Sequence, residues 1–193
     1  MNSKLSAFIV GGLLLTACGS KPTGGGPSVT DGGIPSDPTS ETEERTETNS
    51  ESTTVEVAYI ALEDNGANGP LVGCGDSEIL TEETLSGKLN TKDRIKAALE
   101  NLFANKDQVL GGSGLYNALY QSTLVVDSVK VDGTNLTVEI SGETQSGGVC
   151  DDPRIVQQIR ATVENNIDSE KELTITILLN DKPLEKLQDL SGE

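Results

Sequence analysis

Residues 124–141, LVVDSVKVDGTNLTVEIS, decide how this chain folds. Two runs rich in β-branched residues flank Asp132-Gly133, and such a dipeptide supplies the positive-φ backbone that a tight hairpin turn needs. The stretch reads as an antiparallel hairpin, and its neighbours must supply whatever covers it.

Working outward, residues 91–104 carry Ile95, Ala98, Leu99, Leu102 and Phe103 at three- and four-residue spacing. That spacing predicts a helix with Thr91 as N-cap and an end near Ala104 to Lys106. On the other side of the hairpin, DDPRIVQQIRATVENNI (151–167) predicts a second helix. Asp151 or Asp152 is its expected cap, Pro153 its first residue, and Ile155, Val156, Ile159 and Val163 its buried face. VEVAYIAL (55–62) and ELTITILLND (172–181) read as strands. EILTEETLSGKLN (78–90) fits a short strand and a turn, and KPLEKLQDLSGE (182–193) a short strand or a frayed tail. The predicted order is β-α-β-β-α-β, an α+β domain with two helices on one face of a small, mainly antiparallel sheet.

The beginning of the chain belongs to another regime. AFIVGGLLL (7–15) follows Lys4 and is too short to span a bilayer, which needs about 20 apolar residues. A positive start, a short apolar run and small residues before a cleavage point are the parts of an export signal. Leu15-Thr16-Ala17-Cys18 resembles the lipobox of bacterial lipoproteins. That resemblance implies cleavage after residue 17, acyl chains such as palmitate on Cys18, and a lipid-anchored location. This would be the outer face of the cytoplasmic membrane or, in a two-membrane cell, the periplasmic or outer membrane. Two or three acyl chains hold firmly where one would not, at about 0.8 kcal/mol per buried methylene. Residues 18–54 are then an acidic tether rich in Gly, Pro, Ser, Thr and Glu, with only Val29 and Ile34 to bury and too little core to offset ordering entropy. Residues 55–193 form the expected domain.

Composition narrows the function classes. Among 193 residues, 14 Lys and Arg face 31 Asp and Glu, a net charge of −17. Phosphate contacts need clustered cations, so nucleic acid is not an expected partner. Trp is absent and only three Tyr and two Phe are present, which disfavours aromatic platforms for sugars or bases. There is no His, the commonest acid–base and zinc-binding side chain. No cofactor and no metal site are expected.

The domain resembles the GerMN family, known from spore-germination and sporulation proteins and from bacterial lipoproteins. The resemblance is carried by RIKAALENLF (94–103), by the hairpin in GLYNALYQSTLVVDSVKVDGTNLTVEISGE (114–143), and by RIVQQIRATVENNIDSEKELTITILLND (154–181). ANKDQVLGGSG (104–114) and ALYQSTLV (118–125) depart from the family's usual Gly-Pro-Thr-like and Ile-Pro-x-Gly-Thr segments. The resemblance implies a fold similar to ring-building modules, which act by binding neighbours, and it brings no catalytic residues.

With Cys18 assigned to lipid, Cys74 and Cys150 remain, and in an exported chain they can pair. Closing a loop of about 75 residues would stabilise by about 4 kcal/mol in the chain-entropy treatment. The rival is a redox or nucleophilic site, for which neither cysteine has CxxC spacing.

Other signals point to turns and caps. DNGANG (64–69) has Gly66 where a calcium loop needs its second acidic ligand, and GGSGLYN (111–117) ends in Asn117 where a dinucleotide fingerprint needs Gly. Asp151 and Asp152 would join Asp76 as metal ligands only if the disulfide drew the loops together, and capping is the simpler role. Asn135-Leu136-Thr137 spells a glycosylation sequon but sits in a predicted strand.

The expected function is a non-catalytic, membrane-anchored binding or assembly module with an envelope protein or cell-wall partner. The alternative is a carboxylate-dependent enzyme acting on cell-wall polymer, which would need two carboxyl groups facing each other across a groove. A solute-binding lipoprotein is a third reading, but about 140 residues is small for two hinged lobes.

Overall fold

The computed structural model describes residues 51–168 and 172–189. The expected leader (1–17), Cys18 and nearly all of the tether lie outside the described residues. The elements run β1 (Ser52–Ala61), β2 (Leu71–Val72), β3 (Asp76–Ser86), α1 (Thr91–Ala104), β4 (Thr123–Asp132), β5 (Asn135–Glu143), α2 (Asp151–Glu164), β6 (Thr174–Leu179), β7 (Lys182–Pro183) and a short α3 (Lys186–Asp189). The expected β-α-β-β-α-β order survives as β1-α1-β4-β5-α2-β6. Residues 78–86, expected as a short strand and turn, belong to the eleven-residue β3. β1 begins at Ser52, three residues before the expected boundary. The Thr53 hydroxyl donates to the Gly87 carbonyl at 2.7 Å, and the Gly87 N–H donates to the Glu51 carbonyl, which closes that end of the β1–β3 ribbon.

The fold is α+β with two small sheets rather than one. The first has the order β1-β3-β2 and the second β4-β5-β6-β7. In the second sheet, Asp132 pairs with Asn135 across the Gly133-Thr134 turn, so the hairpin forms where the sequence places it. β6 joins β5 in parallel, with α2 in the connection, and β7 folds back antiparallel through Asn180-Asp181. Both turn residues adopt left-handed φ, 50° and 64°, as a two-residue type I′ turn requires.

The division into two sheets has a specific cause. β1 is an edge strand, and the groups on its outer edge are buried against α2 and the loop before β4. There α2 presents Gln158 and Thr162, and Asn166, just past the helix end, continues the same four-residue spacing. Asn166 accepts from the Glu56 N–H at 3.1 Å and donates to the Glu56 carbonyl at 2.7 Å. The Thr162 hydroxyl accepts from the Ala58 N–H at 3.0 Å, and Gln158 donates to the Ala58 carbonyl at 3.0 Å. One step further, Ile60 exchanges both backbone hydrogen bonds with Tyr116. A helix face and a single bridge thus take the place of a neighbouring strand, and the second sheet has no edge to pair with.

Gln158, Thr162 and Asn166 are fully buried, which a polar side chain tolerates only when its hydrogen bonds are made. Gln158 also accepts from the Ala118 N–H at 2.8 Å, and Asn117 accepts from the Leu119 N–H and donates to the Asn105 carbonyl. Around this polar line a single apolar core draws on both sheets and both long helices. It contains the predicted faces, Ile95, Leu99, Leu102 and Phe103 of α1 and Ile155, Val156, Ile159 and Val163 of α2.

The helix starts differ from the expectation. Asn90, not Thr91, caps α1 by accepting from the Lys92 and Asp93 N–H groups, while the Thr91 hydroxyl donates to Asp168. At α2 the cap position is Cys150, so Pro153 is the third helical residue.

The account predicts that Gln158→Met, which keeps the side-chain length but removes every polar atom beyond Cγ, leaves the Ala58 carbonyl and the Ala118 N–H without their side-chain partner. Chemical denaturation should show a loss of about 2–5 kcal/mol, the sum for two buried groups left unpaired.

Candidate functional site

The chemistry-bearing residues that sequence reading singled out in the domain converge at one end, where three connections meet. They are residues 62–75 after β1, residues 107–117 after α1, and residues 144–150 before α2. Cys74 and Cys150 are joined by a disulfide across 76 positions of sequence, with Cα atoms 5.8 Å apart. Such a closed loop stabilises by about 4 kcal/mol in the chain-entropy treatment.

The local backbone is shaped for that bond. Cys74 has φ 66°, a left-handed conformation that is unfavourable for a residue with a Cβ. Both flanking residues are glycine for reasons visible in the packing. A Cβ on Gly73 would sit 2.9 Å from Pro153 Cγ at the start of α2. Gly75 has φ 81°, and a Cβ there would lie 2.9 Å from the Asn65 side-chain oxygen.

Beside the disulfide is an ionic clamp. Arg154, largely buried in the first turns of α2, donates through Nε to Asp76 Oδ2 at 2.7 Å and through Nη1 to Asp151 Oδ1 at 2.9 Å. The second oxygen of each carboxylate is also occupied. Asp76 Oδ1 accepts from the Glu63 N–H at 3.0 Å. Asp151 Oδ2 accepts from the Gly147 N–H at 2.8 Å and from the Tyr116 hydroxyl at 3.0 Å. The guanidinium lies 5.4 Å from the Tyr116 ring centroid, within cation–π range. Burial works against the charged guanidinium, but its hydrogen bonds to Asp76 and Asp151 outweigh that and raise its pKa. The Tyr116 phenol is pushed up to about 12, first by burial and then by its bond to the Asp151 carboxylate.

The structure therefore brings Asp76 and Asp151 together, as a metal site would need, and fills the space between them with a cation of the protein's own. Asp152 is not part of the clamp. Among the described residues no group of three or more Cys, Asp or Glu side chains is arranged to hold a metal ion. Arg154 stands between the two carboxylates, in the place a substrate would take in a facing acid–base pair. An apolar groove between the end of α1 and β4, lined by Phe103, Ala104, Leu124 and Val126, lies apart from this clamp. The DNGANG loop holds a β-turn, with the Ala67 N–H donating to the Asp64 carbonyl at 3.0 Å, and the Asp64 carboxylate accepts from the Asn68 N–H at 2.8 Å and from the Ser77 hydroxyl. Those donors, the Ser77 hydroxyl foremost, lower the Asp64 pKa.

Arg154 and Tyr116 were the residues that pattern reading missed. Arg154 stands one turn from the helix start, three positions after Asp151, a spacing that places both on one helix face. Tyr116 carries no sequence signal, since its role depends on the bridge to Ile60.

Comparison with known proteins gives the family. The model of the Germane family, described as sporulation and spore germination, matches residues 74–185. That is more than half of the chain, and the chain belongs to this family. Among solved structures it is similar to the tandem GerMN domains of the sporulation protein GerM from Bacillus subtilis. The two are 16% identical with a TM-score of 0.42, and the match covers 74% of this chain and 43% of that one. No curated protein matches the chain.

Two expectations follow from the clamp. Arg154→Met should cost about 3–5 kcal/mol in denaturation, because it leaves two buried carboxylates without their counter-ion. The phenol of Tyr116 has a folded pKa above its unfolded value of about 10, so its contribution is complete below that pH. It is lost as pH rises through about 12. Burial also raises the Tyr59 phenol, so alkaline titration of phenolate absorbance should show late ionisation of more than one tyrosine, and the step near pH 12 should vanish in Tyr116→Phe.

Proposed function

We propose that this member of the Germane family is a non-catalytic binding or assembly module of the cell envelope, held at a membrane by acyl chains on Cys18. The observation that carries the non-catalytic reading is the Asp76–Arg154–Asp151 clamp. A carboxylate-dependent hydrolase needs one acid and one base free to exchange protons with substrate. In this chain the two acids drawn together by the disulfide spend their lone pairs on Arg154, two backbone N–H groups and a phenol. They build structure and do not offer the free acid–base pair that the wall-hydrolase alternative needs.

The anchored arrangement draws its support from the order of features along the chain. The apolar leader, the lipobox-like Leu15-Thr16-Ala17-Cys18 and the acidic spacer precede β1 without an intervening apolar segment. A flexible spacer of that length separates its ends by about 30 Å. Among the described residues no helix is long and apolar enough to cross a membrane, and acyl chains on Cys18 would supply the attachment.

Metabolic labelling with a palmitate analogue tests the anchor. The native chain should incorporate label and partition into detergent, with a mature N-terminus at Cys18. Cys18→Ala should lose label and leave the membrane fraction. An unlabelled native chain that retains residues 1–17 would contradict the proposal.

A further inference from the structure

We infer that the disulfide-bonded end of the domain is a docking surface for a basic protein segment bearing aliphatic side chains. The inference rests on the binding-module reading above and names the face and the chemistry of the partner.

Position is the first argument. β1 runs from Ser52, where the chain enters the domain, to Ala61, and ten extended residues cover about 33 Å. The connections at residues 62–75, 107–117 and 144–150 all lie at the Ala61 end. This end of β1 is the one opposite Ser52, where the chain enters the domain.

Its surface is the second argument. Leu71 is 68% exposed and Val149 71%, and Leu62 and Val109 are 44% and 45% exposed. Large aliphatic side chains are presented here by backbone that is already fixed. The disulfide ties the first connection to the third, the Ile60–Tyr116 bridge ties the second to β1, and the Tyr116 hydroxyl reaches Asp151. Glu63 and Cys74 are held in left-handed conformations that residues with a Cβ rarely adopt. A surface ordered before binding loses little entropy when a partner docks.

Charge identifies the occupant. The three connections contain no Lys or Arg, while Glu63 and Asp107 are exposed on them. Arg154 is closed inside the clamp, and Lys106, which donates to the Ser122 carbonyl at 2.7 Å, borders the second connection. Aliphatic groups beside the exposed Glu63 and Asp107 match a partner that offers aliphatic side chains beside Lys or Arg. They repel an acidic surface, including a second copy of this chain, whose net charge is −17.

The test titrates the isotope-labelled full chain with three synthetic peptides of equal length, alternating Lys and Leu, Lys and Ser, or Glu and Leu. The Lys-Leu peptide should shift amides of residues 62–75, 107–117 and 144–150 and bind at least tenfold more tightly than the Lys-Ser peptide. The Glu-Leu peptide should not bind. The double variant Leu71→Ser, Val149→Ser changes only exposed side chains and should keep the native spectrum elsewhere, while its affinity for the Lys-Leu peptide falls at least tenfold. Shifts centred on another face, unchanged affinity of the double variant, or no shifts with any peptide would overturn the inference. In-cell crosslinking separates this failure from failure of the parent reading. A crosslinked envelope complex that survives the double variant overturns only the choice of face, whereas a wild-type chain that forms no complex overturns the binding-module reading as well.

Discussion

A buried backbone N–H or C=O must be paired, and in this domain that constraint falls on the outer edge of β1. Val55 and residues 57–60 are buried and Glu56 is half-buried, so water has little access to the edge. The solution is a polar line along α2 and just past its end, where Gln158, Thr162 and Asn166 hydrogen-bond to Glu56 and Ala58 as a strand would. Because those bonds require register, α2 can neither slide nor rotate against β1. The position of α2 then sets the rest. Its apolar residues close the common core, its first turns meet the connection after β1, and the sheet that it feeds through β6 stays separate from the sheet of β1.

The disulfide and the Arg154 clamp fasten the same two segments, one by a covalent bond and one by ion pairs. They act on different terms of the stability. The disulfide restricts the unfolded chain, whereas the clamp neutralises carboxylates that the native packing has already buried. The two are joined in space through Tyr116, whose backbone bridges β1 and whose hydroxyl reaches Asp151. One end of the domain is therefore held rigid although it is built largely from connections.

Much of this was legible in the sequence where a pattern is local. The hairpin turn at Asp132-Gly133, the apolar faces of α1 and α2 and the pairing of Cys74 with Cys150 follow from spacing, turn chemistry and counting. What was not legible depends on contacts remote in sequence. The split into two sheets follows from side chains of α2 binding β1 about 100 positions away, which periodicity of apolar residues cannot report. The polar residues at 158, 162 and 166 do keep helical spacing, and that regularity beside an apolar face was the available signal. Thr91 read as a cap because capping statistics are local, but Asp168 claims its hydroxyl and Asn90 caps the helix in its place.

The central claim is that helix side chains act as the missing strand beside β1. Native-state hydrogen exchange at the Glu56 and Ala58 amides tests it most directly, since they donate to the side chains of Asn166, just past α2, and Thr162, on it, rather than to backbone. The account predicts that both exchange only through global unfolding, as slowly as amides in the middle of α2. Exchange at the rate of an unpaired edge amide, with the middle of α2 still protected, would contradict it.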